Sequence, residues 1–221
     1  MSTFLRGATI LALAAALVAC RRSAAVPVTT TQVVNLSIDG RTVGEERAEA
    51  TVDGRRETLV VETNMREPRV HVKGTLVLDR ARAISLHVEG EASGLFPATA
   101  DVTVTGDRTD TFPIVAPLPV HILAALARQS IVGARREFHA LPEGMVTIQP
   151  CAAAPLPYAD ATCHEVSSER WGPTHVFLDT RRALAAAVIP TTSGLLVATT
   201  PERDASQDAL RAHFAAGHPT R

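Results

Sequence analysis

Val33-Val34-Asn35-Leu36-Ser37-Ile38-Asp39-Gly40-Arg41-Thr42-Val43 sets the pattern that the first half of the chain repeats. Val34, Leu36 and Ile38 fall on one face of an extended chain, with Asn35 and Ser37 on the other. Asp39-Gly40 then breaks the alternation. A second run over 43–52 meets another Asp-Gly pair, Asp53-Gly54, before Leu59, Val61 and Thr63 resume the period of two. Asp-Gly between alternating runs is a strong short-range hairpin signal. The pattern continues through Val70, Val72, Leu76 and Leu78, then Ile84, Leu86 and Val88, then Val102 and Val104. Lys73, Thr75, Asp79, Ser85, Glu89, Asp101 and Thr103 are their outward partners. One buried face and one wet face predict an antiparallel meander of about six strands in the first half of the chain.

The centre breaks the pattern. Pro117-Leu118-Pro119-Val120-His121-Ile122-Leu123-Ala124-Ala125-Leu126-Ala127 is apolar on nearly every side, and Pro119 suits the first turn of a helix. A short helix with no polar stripe must be covered, and the concave side of a curved sheet would cover it. Strands are expected again over 144–149, 163–169, 174–178, 183–189 and 195–199. The last segment reads as an amphipathic helix in which Asp204 and Gln207 form a capping pair, Leu210 and Phe214 share a face, and Gly217 ends it. The expected fold is therefore mainly β: a single curved antiparallel sheet, a half-barrel of about 10–12 strands, around a short buried helix, with a C-terminal helix added.

Composition narrows the function. The 221 residues are 46% hydrophobic and 20% charged, which is globular usage. Twenty-two basic against 23 acidic residues leave no electrostatic footprint for nucleic acid, and 4% aromatics are too few for a base-stacking surface. At the N-terminus, Arg6 precedes a predominantly apolar run over 8–19. That is shorter than the roughly 20 residues of a bilayer span, so it reads as the core of an export signal.

Leu17-Val18-Ala19-Cys20, at the end of that run, resembles a bacterial lipobox. The resemblance implies that Cys20 becomes the mature N-terminus and carries a diacylglycerol and an amide-linked acyl chain, a multi-chain anchor of lasting stability. Arg21 is not the aspartate that resembles an inner-membrane retention signal, so the expected address is the periplasmic face of the outer membrane. An ordinary signal peptide cut near Ala24 or Ala25 is the alternative. The expected organisation is a lipoprotein signal peptide over 1–19, a lipid anchor and tether over 20–32, one β-rich domain over 33–217 and a tail over 218–221.

Cys151 and Cys163 remain as an even pair in the exported portion and are read as a disulfide. Closing the loop 152–162 would contribute roughly 3 kcal/mol on the chain-entropy model. His164 beside Cys163 has no recognised zinc spacing, and neighbours on an extended chain face opposite ways, which disfavours a Cys–His dyad.

Ile38-Asp39-Gly40-Arg41-Thr42-Val43-Gly44-Glu45 resembles the opening of β-rich envelope modules of the lipoprotein-carrier and receptor type, in which a curved sheet wraps a helix. Val43-Gly44-Glu45-Glu46-Arg47, Phe112-Pro113-Ile114, Leu141-Pro142-Glu143-Gly144, Trp171-Gly172 and Val176-Phe177-Leu178-Asp179 are similar to a module that precedes metal-dependent amidohydrolase domains in some exported bacterial proteins. Neither resemblance carries over a functional residue.

Catalytic motifs are absent from the sequence. His164-Glu165 is followed by Val166-Ser167-Ser168, so no second histidine completes a zinc-protease helix, and there is no nucleophile elbow or phosphate-cradling loop. Asp101, Asp107 and Asp110 lack calcium-loop spacing. His71 and His87 fall on polar faces. The reading is a non-enzymatic, lipid-anchored envelope protein, without metal or cofactor, that holds an apolar ligand or a lipid or lipoprotein client in its sheet. His121, Ile122, Leu123, Leu126 and Trp171 are the expected lining. An accessory module for a separately encoded exported hydrolase is the alternative, and an enzyme using His121 with a nearby carboxylate ranks last.

Overall fold

The computed structural model describes residues 26–92, 99–105, 109–114, 119–130, 134–142, 144–152 and 156–218. Cys20 and the segment expected to be an export signal lie outside the described residues. The first hairpins follow the alternation: β1 (Val28–Ile38), β2 (Arg41–Asp53), β3 (Arg56–Met65), β4 (Val70–Asp79), β5 (Arg82–Ala92) and β6 (Thr99–Thr103) pair in sequence, all antiparallel. Asp39 and Gly40 sit at φ +49° and +79° between β1 and β2, the two positive values that a type I′ turn requires. In the next hairpin Asp53 is still paired with Arg56, so the turn falls one residue later than expected, on Gly54 and Arg55.

Seven more strands complete the sheet: β7 (Thr111–Ile114), β8 (Arg136–Pro142), β9 (Gly144–Pro150), β10 (Ala161–Ser168), β11 (Thr174–Asp179), β12 (Leu184–Thr191) and β13 (Gly194–Thr199). All thirteen belong to one sheet in the order β6-β5-β4-β3-β2-β1-β13-β12-β11-β10-β9-β8-β7. β7 lies against β5, so the two ends approach each other and the sheet is nearly closed. The expected 10–12-strand half-barrel is thus a 13-strand, barrel-like sheet.

Three details correct the sequence reading. β1 begins at Val28, because residues expected to be tether pair with β2 from Val28↔Val52 onward. Ile84, expected on the buried face, is the extra residue of a bulge: Val77 pairs with Ser85 and Leu78 with Ala83, and Ala83 takes the buried place. The sheet is also not antiparallel throughout. β7 and β8 run parallel, and a parallel pair needs a long crossover. The crossover is α1 (Val120–Ala127), the apolar segment the sequence singled out.

All eight residues of α1 are buried. The helix touches β3, β7, β11 and β12, strands from both halves of the sheet, so it fills the interior. Gly74 permits the close approach, since a Cβ there would stand 2.9 Å from Ile122 Cδ1. The sheet has a second apolar layer outside. β12 is buried on both faces, with Ala187 and Ile189 turned inward and Ala185, Ala186 and Val188 outward. Leu210 and Phe214 of α2 (Gln207–Gly217) cover that outer patch with Tyr158 and Phe177. Asp204 does not cap α2. It lies in a 3-10 helix (Pro201–Ser206) and accepts hydrogen bonds from Asn35 and Thr199, while Gln207 accepts from Ser37. His218, not Gly217, takes the C-cap position.

Candidate functional site

The interior helix is tied at both ends by polar side chains that the apolar pattern conceals. Glu46 shares the inner face of β2 with Ala48 and is fully buried. Its Oε2 accepts from the backbone N–H of Val120 (2.8 Å) and from Thr63 Oγ1 (2.7 Å), and its Oε1 from the N–H (2.8 Å) and ring Nδ1 (2.7 Å) of His121. The first N–H groups of a helix lack partners of their own and carry the positive end of its dipole. A carboxylate from a facing strand meets both needs, where Pro119 offers no side-chain cap.

At the other end, Ser130 Oγ donates to the Ala127 carbonyl (2.7 Å) and lies 3.1 Å from His164 Nδ1. Arg182 donates to the Ser130 carbonyl (2.9 Å), and Thr162 Oγ1 stands 3.3 Å from His164 Nε2. Burial pushes the His164 imidazole below its ordinary range, and the Arg182 guanidinium adds to the effect.

The structure locates every interior residue singled out from sequence. Ile122, Leu123 and Leu126 are within the core, His121 is buried in the Glu46 contact, and Trp171 packs at the side of the same core. His121 Nε2, Trp171 Nε1 and Thr174 Oγ1 are buried without a hydrogen-bond partner among the described residues. Buried polar atoms are nearly always bonded, so each of these is a point where a polar ligand atom would be welcome. Glu46 was missed by the sequence reading. Its signal was a charged residue on the inward parity of an alternating strand.

A second polar cluster lies on the outer face, beneath α2. Glu165 on β10 pairs directly with His175 on β11, and His218 reaches them from the end of α2. Nε2 of His175 and Nε2 of His218 are 3.2 Å apart, and Glu165 Oε2 is 3.2 Å from His218 Nε2 and 3.7 Å from His175 Nε2. These are metal-ligating atom types in mutual reach. Gln149 donates to the other Glu165 oxygen at 2.9 Å. His175 has no exposed surface; burial, with His213 and His218 nearby, pushes its pKa down to about 3. His213 is buried beside it, also pushed down by burial, and neither ring nitrogen has a partner among the described residues. Cys151 and Cys163 come together at disulfide distance next to this cluster, with Cα atoms 5.5 Å apart.

No protein-family model and no curated protein matches this chain. Among solved structures, it is similar to a β-barrel-like protein of domain of unknown function DUF1849 from Brucella abortus, at 10% sequence identity and a TM-score of 0.37, over 79% of this chain and 95% of that one.

Proposed function

We propose that this protein is an exported, lipid-anchored envelope protein, anchored through Cys20, that takes an apolar ligand or the acyl chain of a lipid or lipoprotein client into its sheet. The observation that carries this reading is the filling of the barrel. The interior is occupied by a separate eight-residue helix, about 12 Å long, that is apolar on every side and held by polar ties only at its ends. Moving α1 would uncover an apolar wall, and the unpartnered polar atoms of His121, Trp171 and Thr174 would be open to polar groups of a ligand. No helix among the described residues is long and apolar enough to cross a membrane. What supports attachment is the likeness of Leu17-Val18-Ala19-Cys20 to a lipobox.

Native mass spectrometry of the chain expressed from Arg21 onward should find a co-purified lipid, and an apolar fluorescent probe should bind once per chain. Glu46→Gln, which loosens the tie at the start of α1, should speed probe uptake. A ligand-free protein to which no probe binds, in parent or variant, would overturn the binding reading. Cys20→Ser should accumulate precursor and lose acyl labelling; normal processing of that variant would overturn the anchor.

A further inference from the structure

We propose that Glu165, His175 and His218 form a binding site for a divalent transition-metal ion of the zinc class, at the junction of β10, β11 and the end of α2. This site is separate from the interior and does not depend on ligand binding there.

The geometry carries the argument. Zinc bonded at about 2.0–2.1 Å in a tetrahedral site holds its ligand atoms about 3.3–3.4 Å apart. The three candidate atoms stand 3.2, 3.2 and 3.7 Å from one another, so they already lie near the corners of one tetrahedral face. Two imidazoles and one carboxylate suit zinc, copper and nickel better than calcium or magnesium, which prefer all-oxygen shells.

The local structure supports the same assignment. The direct register of Glu165 with His175 puts two ligands side by side on one face of the sheet. The Gln149 amide holds the far oxygen of Glu165 and leaves Oε2 turned to the histidines, the outer-shell support that metal-bound carboxylates commonly have. His175 is fully buried, and its contacts to His218 and Glu165 all converge on the one atom Nε2. An ion at that point would satisfy the three facing lone pairs at once. The neighbouring sulfurs of Cys151 and Cys163 are joined to each other and are not counted as ligands.

Three protein ligands leave a fourth position for water or an incoming donor atom. The ion would also pin the end of α2 to the sheet, since His218 follows that helix while the other two ligands are in strands.

The test uses the purified full chain, oxidised at its cysteines and stripped with EDTA. Calorimetric titration with Zn²⁺ should give one site per chain, and Co²⁺ should give the intense visible absorption of a four-coordinate centre. Saturating Zn²⁺ should raise the Tm. His218→Ala and Glu165→Gln should each weaken binding by about 100-fold or more and abolish the Tm rise. His87→Ala, which removes an exposed histidine beside Asp101 and Glu89, should bind as the parent does. Failure of the parent to bind one Zn²⁺ would overturn the site. So would parent-like binding by a folded Glu165→Gln or His218→Ala, with folding checked by circular dichroism.

Discussion

Glu46 and His121 are joined twice through one oxygen: Oε1 of the carboxylate accepts from both the backbone N–H and the ring Nδ1 of His121, at 2.8 and 2.7 Å. The same carboxylate takes the Val120 N–H and the Thr63 hydroxyl on Oε2. One side chain from β2 thereby holds the first turn of the interior helix.

Glu46→Ala strands two backbone donors, a ring nitrogen and a hydroxyl inside the barrel. Breaking a buried charged contact of this kind costs roughly 3–5 kcal/mol. Urea unfolding should show that loss, and Glu46→Gln, which keeps one acceptor oxygen, should lose less. An Ala variant as stable as its parent would mean that α1 is held by apolar packing alone.

Leu123 is fully buried between the two halves of the sheet. Leu123→Ala removes packing on all sides and should cost roughly 2–5 kcal/mol, measured by the same unfolding. A loss under about 1 kcal/mol would mean that the site collapses around the smaller side chain.

Arg80 and Ala81 form the β4–β5 turn at φ +51° and +65°, with no glycine or asparagine to relieve the left-handed backbone. An L-residue there carries about 1–2 kcal/mol of strain. Ala81 is exposed, so Ala81→Gly should raise stability by roughly 1 kcal/mol and change no contact. A drop in unfolding midpoint would contradict the turn geometry.

His164 titrates below its ordinary value when folded, chiefly through burial. The unfolded chain therefore takes up this proton first as pH falls. The sign follows: full stability above about pH 6.5, and progressive loss below it as pH moves toward the depressed folded value. With chelator present, unfolding free energies between pH 7.5 and 5.5 should fall, and His164→Asn should flatten that slope. An unchanged slope would show that His164 is hydrated in the native state.

What depends on short-range periodicity was legible in the chain before folding. Period-two alternation placed the hairpins from Val34 to Val88 and chose their buried faces except at the Ile84 bulge, because a side chain's face is set by its neighbours two residues away. An apolar segment without a polar stripe announced that 120–127 is buried, since no face of it tolerates water. Register, and where distant elements land, emerged only in the folded molecule. Thr111–Ile114 is too short to show alternation, so the parallel pairing of β7 with β8, and hence the role of α1 as a crossover, was invisible. Glu46 looked like one more charge in Glu45-Glu46-Arg47 until strand parity turned it inward toward a helix from the middle of the chain. Glu165 read as half of a failed motif because its partners are not four residues away on a helix. They are His175, across one strand pairing, and His218, beyond the last helix. Apolar patterning is written locally because burial is a one-body preference, whereas convergent polar groups are a many-body property that exists only once the sheet has closed.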